Sequence, residues 1–264
     1  MINMENAHAR FRQYLQEFDI TNEKIALKIR HTYEVVRSAK LIAAGLRLSQ
    51  EDQDLAELIA LLHDIGRFEQ VRRYDSFEPA TMDHARYGVR LLFGSEQMIR
   101  QYVREPQWDD IIREAIARHS DYETGELADP RTTLHAKLIR DADKLDNCRV
   151  KLEEPIEVLL GMTGSEAGRQ EITPKVWAAC QSEKSILSSD RITRIDHWVS
   201  YIAYFFDINF PVTAQIILDE DYVNRVIHRI PYENKATARQ MELLGRSVTD
   251  FLNRKASSSI SLNR

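Results

Sequence analysis

Residues 55–67 read Leu55-Ala56-Glu57-Leu58-Ile59-Ala60-Leu61-Leu62-His63-Asp64-Ile65-Gly66-Arg67. Leu55, Leu58, Ile59 and Leu62 return at helical intervals, so the spacing predicts a helix with one buried face that delivers the adjacent pair His63-Asp64 near its end. Ser49, with Asp52 three residues on, starts it like a capping box in which Asp replaces the usual Glu. Gly66 is expected to break it. An imidazole and a carboxylate carried inward on an apolar helix need partners, because burying polar groups unpaired is costly.

The flanking sequence repeats this arrangement. Upstream, Ile25, Ile29, Val36, Ala39 and Ile42 predict a helix from Thr21 or Asn22 to Gly45, with His31 inside it. Downstream, Asp83 is a good cap for a helix that begins at His84, carries Val89, Leu91 and Leu92 inward and ends at Gly94. Between Trp108 and Ser120, the stripe Ile111, Ile112, Ala115, Ile116 continues into His119. From Thr133 to Asn147, Ala136, Ile139 and Asp143 fall at i, i+3 and i+7, which points an aspartate inward. Helical patterns continue over 174–182, 193–208, 222–230 and 236–252, followed by a Ser-rich tail, 256–264, expected to fray. With no long linker and no fixed-period repeat, the expected organisation is a single helical domain over 1–264. Its core, 20–147, holds the polar constellation, and 148–264 is a helical extension.

Composition agrees with that reading. The chain has 264 residues, with 36 Lys and Arg against 41 Asp and Glu for a net charge of −5, which disfavours a nucleic-acid duplex as partner. Only 9 Gly and 7 Pro leave few turn-makers for many short strands, so the expected class is all-α. Cys148 and Cys180 form no C-x-x-C pair and suit a reducing compartment. No signal peptide is visible, and the most apolar stretches, 55–65 and 198–208, are far shorter than the roughly 20 residues a bilayer requires. The expectation is a cytoplasmic protein without a membrane partner.

Taken singly, each histidine on an apolar stripe has an ordinary explanation as a hydrogen-bonded core residue. Together, His31, His63, His84 and His119 with Asp64 and Asp143 are better explained by a divalent cation, since imidazole and carboxylate are ligands that Mn, Fe, Co, Ni and Zn share. His135 lies eight residues before Asp143, about 80° away around the helix, and is left out of the set.

The stretches Lys28-Ile29-Arg30-His31-Thr32, Leu61-Leu62-His63-Asp64-Ile65-Gly66-Arg67, Asp83-His84-Ala85-Arg86-Tyr87-Gly88, Ala117-Arg118-His119-Ser120 and Asp141-Ala142-Asp143-Lys144-Leu145-Asp146 resemble the HD-domain metal-dependent phosphohydrolase superfamily. The resemblance implies an all-α helical bundle with a C-terminal helical extension. It also implies a binuclear site of the four-His, two-Asp type, with His31, His63, Asp64, His84, His119 and Asp143 as ligands to two divalent transition-metal ions (Mn, Co, Zn, Ni or Fe). Where the family often has a second His after the fourth ligand, this chain has Ser120.

By the same resemblance Asp64 bridges the two ions and is the catalytic carboxylate, while Arg67 and Lys144 are the candidates to bind a phosphate. The implied activity is hydrolysis of a small phosphorylated substrate, nucleotide-like, as a mono- or diester. Two alternatives share the ligand set: a di-iron oxygenase on the same fold, and a non-catalytic nucleotide- or metal-binding protein. The Gly-Tyr-Pro signature of cyclic-dinucleotide phosphodiesterases is absent from the sequence. A homodimer is the base-rate expectation for a soluble enzyme of this kind.

Overall fold

The computed structural model describes residues 2–78, 80–125, 127 and 129–258, and these are helical with no strand. They fall into two compact units, 1–146 and 147–264.

The first unit contains α1 (Met4–Leu15), α2 (Glu23–Gly45), α3 (Gln50–Leu62), α4 (Ile65–Tyr74), α5 (His84–Phe93), α6 (Asp109–Arg118) and most of α7 (Pro130–Glu153), inside which the boundary falls. Asn22 caps α2 by accepting from the amides of Lys24 and Ile25. Ser49 caps α3 by accepting from the Asp52 amide, while Asp52 binds the Ser49 hydroxyl at 2.8 Å. α2 and α4 pack on α3 and α2 respectively, and α5 lies against both α4 and α6. The core between them is made of fully buried side chains such as Ile42, Leu55, Leu58, Leu62 and Ile116. At about 25 cal/mol per Å² of apolar surface, that burial is the main term holding the helices together.

Gly66 does not end a helix as the sequence suggested. It is the second residue of α4, and a Cβ there would lie 2.2 Å from the His84 carbonyl oxygen and 2.9 Å from the Gly88 nitrogen. The missing side chain lets α4 and α5 approach until their backbones touch. On α5 the inward residues are His84, Ala85, Gly88 and Leu92, while Val89 and Leu91 are only half-buried.

The second unit holds the end of α7 and the short helices α8 (Ile156–Leu160) and α9 (Gly164–Gly168). These are followed by α10 (Pro174–Gln181), α11 (Arg194–Ala203), α12 (Pro211–Asp219), α13 (Tyr222–Ile227) and α14 (Lys235–Ser257). α14 buries Met241, Leu244, Val248 and Leu252 and packs on α11, α12 and α13. The expected fraying of the Ser-rich tail from residue 259 onward lies outside the described residues.

Candidate metal centre

The polar constellation of the first unit assembles from helix ends. His63 is the C-cap of α3 and Asp64 the N-cap of α4. His84 opens α5, and His119 is the C-cap of α6. His31 comes from the middle of α2 and Asp143 from α7. Asp64 makes no capping hydrogen bond to α4. Its carboxylate is turned instead towards the histidines.

The two oxygens of Asp64 serve two sides. Oδ2 lies 3.6 Å from His31 Nε2 and 3.7 Å from His63 Nε2. Oδ1 lies 3.3 Å from His84 Nε2 and 3.5 Å from His119 Nε2. Two sets therefore share one carboxylate: His31, His63 and Asp64, and Asp64, His84 and His119, with the ligand atoms of each set within 4.8 Å of one another. Asp143 Oδ1 joins the first side, 3.1 Å from His31 Nε2 and 4.0 Å from His63 Nε2.

Each imidazole on these two sides that has a hydrogen bond at Nδ1 points Nε2 at the shared carboxylate. His63 Nδ1 donates to the Ala60 carbonyl and His119 Nδ1 to the Ile116 carbonyl, both at 2.7 Å. A neutral imidazole carries one N–H, so committing Nδ1 leaves a lone pair on Nε2, the form a metal needs. His31 Nδ1 lies 2.6 Å from Asp146 Oδ2, the carboxylate–histidine pairing that orients metal-binding imidazoles.

The electrostatics agree. Burial pulls the His63 pKa down to about 3. Burial, only partly offset by Asp64, takes His84 to about 4, so both rings are neutral at pH 7. Burial and Lys28 lower His31, but Asp143 and Asp146 outweigh them and its pKa is raised. Burial works to raise the Asp64 carboxyl, yet Lys28 and the surrounding histidines hold it well below the usual range.

The buried atoms His31 Nε2, His63 Nε2 and Asp64 Oδ1 have no hydrogen-bond partner. The 3.1 Å approach of His31 Nε2 to Asp143 is not aligned as a hydrogen bond. Across the second side, the Nε2 atoms of His84 and His119 face each other at 3.1 Å. Imidazole nitrogens converging on one shared carboxylate, with His31 Nε2, His63 Nε2 and Asp64 Oδ1 left without a hydrogen-bond partner, fit divalent cations of the nitrogen- and oxygen-binding kind. Two clusters are thus positioned to chelate two metal ions.

Lys28 and Arg67 lie beside this set. Lys28 Nζ is 2.7 Å from Asp64 Oδ2. Arg67 Nε is 3.7 Å from Asp64 Oδ1 and has no hydrogen-bond partner, while its Nη1 donates to Gln70 Oε1 at 2.7 Å and to the Phe77 carbonyl at 2.9 Å. Both cations lie over the Phe77 ring, 5.4 and 5.8 Å from its centroid. Lys144 is buried on α7, directly after Asp143. His135 stands apart from the cluster and bonds Asp52 at 3.1 Å.

Three residues of the site were missed by the sequence reading. Lys28 is one turn before His31, and Asp146 is one turn after Asp143, so helical spacing could have placed both on the site face. Buried Arg140 donates to the carbonyls of Arg118 (3.0 Å) and Asp121 (2.6 Å) and so fixes the turn that carries His119. No local pattern announces that contact.

An all-helical domain built round an adjacent His-Asp pair, with two histidine pairs sharing one aspartate, defines a metal-binding class. Residues 29–148 match the HD domain. No curated protein and no solved structure matches the chain. The HD domain and its two-cluster site support a metal-dependent hydrolase function in general. Among the described residues no helix is long and apolar enough to cross a membrane.

Proposed function

We propose that the protein is a phosphohydrolase acting on a small nucleotide-like phosphate ester, with His31, His63, Asp64, His84, His119 and Asp143 holding two divalent ions. The observation that carries this reading is the division of Asp64 between two histidine pairs. When bound, such ions lower the pKa of a water and polarise a phosphoryl oxygen. Asp64 stays ionised at neutral pH, the charge state that a ligand shared by two ions would need, and would stand close enough to that water to accept its proton. A carboxylate held so low is a weak base, so Asp64 works only on a water already made acidic.

Cations flank the carboxylate on both oxygens. Lys28 Nζ on the Oδ2 side and Arg67 Nε on the Oδ1 side offer donors to phosphoryl oxygens, and a guanidinium suits that geometry. Arg67 also ties the backbone at Phe77 to the site, so it sets the position of the aromatic ring as well as offering charge. Lys144 is a further candidate for a phosphate oxygen.

The test is a panel of nucleotide mono- and diesters with the metal-reconstituted protein. The reading expects turnover that depends on added divalent metal, abolished by Asp64→Ala with helical content retained. A panel without any turnover, or wild-type turnover in Asp64→Ala, overturns it.

A further inference from the structure

Away from the metal centre, α14 presents Arg239, Glu242, Arg246 and Asp250 to solvent. Their spacings of three, four and four residues keep them on one helix face. Elsewhere in the same unit some surface charges are paired, as Arg254 with Glu183 at 2.7 Å and Arg169 with Glu233 at 2.7 Å, while others, such as Lys235 and Arg194, are exposed without an ion pair. Among the described residues these four make no ion pair or hydrogen bond, although Glu242 and Arg246 stand at the i, i+4 spacing that commonly pairs along a helix. Leu243, on the same side, is 45% exposed.

Beside this face runs a groove of about 750 Å³ between α13 and α14, with Val223, Ile227 and Met241 among its lining. Gly245 lines it and lets Ile227 pack closely on α14, since a Cβ there would meet Ile227 at 2.8 Å. The signs along the stripe run plus, minus, plus, minus. Read backwards they run minus, plus, minus, plus, so the stripe is complementary to its own reverse. An antiparallel copy would set Arg239 against the partner's Asp250 and Glu242 against the partner's Arg246, and the two-fold repeats both pairs. Over the twelve residues from 239 to 250, eleven helical rises, the match extends about 16 Å, three turns of helix. A parallel copy in register would set like charge on like.

We propose that this face of α14 is the interface of a homodimer, packed antiparallel on a second copy of the chain, whose side chains cover Leu243 and the groove. The charge order selects that partner and orientation. A two-fold interface must be self-complementary, and this stripe meets that condition without help from any other element.

Sedimentation equilibrium on the full chain tests this, with Glu242→Arg, Arg246→Glu and an equimolar mixture of the two variants. The wild type is expected to dimerise, and each reversal, which turns two attractive contacts repulsive, to raise the dimer dissociation constant at least about tenfold. The mixture is expected to restore the dimer, since each variant's altered residue then faces an opposite charge. A wild type that stays monomeric at about 100 μM overturns the proposal, as does a dimer indifferent to both reversals. Disruption by the single variants without rescue in the mixture overturns the pairing. Circular dichroism confirms that the exposed substitutions leave the helices formed.

Discussion

His31 Nδ1 lies 2.6 Å from Oδ2 of Asp146, and both side chains are almost fully buried. The aspartate fixes the ring so that Nε2 faces Asp64 and Asp143. It belongs to α7, as Asp143 does, so one helix supplies both a candidate ligand and the group that orients another.

Asp146→Asn keeps the shape and removes the charge that holds His31. Partners of this kind are worth about 10–100-fold in metal affinity. Calorimetric titration with Mn or Zn is expected to show a loss in that range for one of the two ions, with unchanged helical content. Equal affinity at both sites would make Asp146 a packing residue.

Lys28 places an ammonium 2.7 Å from the oxygen that faces His31 and His63. A cation entering that side must displace or outcompete it. Lys28→Met is therefore expected to tighten binding of the ion on the His31 side and to raise KM for a phosphate ester, separating the two effects of one charge. Weaker metal binding in the variant would mean that Lys28 supports the site in some other way.

Gly66 touches the α5 backbone at the residue that carries His84. Gly66→Ala must push α4 and α5 apart, at about 1–3 kcal/mol for overpacking in a tight core. The urea midpoint should fall, and the side of the site formed by His84 and His119 should lose affinity more than the side formed by His31 and His63.

Asp52 supplies a pH test remote from the metal centre. Burial works to raise its carboxyl, but His135, Ser49 and Arg131 outweigh it and hold the pKa down at about 2, against an ordinary 3.8. A carboxyl depressed on folding contributes stability that is present above the unfolded value and lost as pH falls through the folded one. The difference in unfolding free energy between wild type and Asp52→Asn should be full at pH 6 and shrink between about pH 4 and about pH 2. A difference independent of pH would contradict the assigned network.

His31, His63, Asp64, His84, His119 and Asp143 were legible as candidates because polar groups stood at inward or helix-terminal positions of apolar helices. α1 and α4 were not, since their apolar residues are sparse. What holds them is an aromatic cluster in which Phe11 and Tyr14 meet Phe68 at 6.0 and 6.1 Å. Phe11 and Phe68 are far apart in sequence, so no local window shows the pairing. Gly66 misled for the same reason: a glycine near a helix end reads locally as a stop, whereas its cause is the α5 backbone. His135 was separable from the ligands by angle alone, and its bond to Asp52 gives the reason for its burial.

In the proposed site one carboxylate, Asp64, serves two metal ions. Elemental analysis of the protein, stripped with chelator, reconstituted and desalted, measures this directly when wild type is run beside His84→Ala. Close to two transition-metal ions per chain are expected in the wild type, falling towards one in His84→Ala. One ion in both proteins, or none in the wild type, would contradict that sharing.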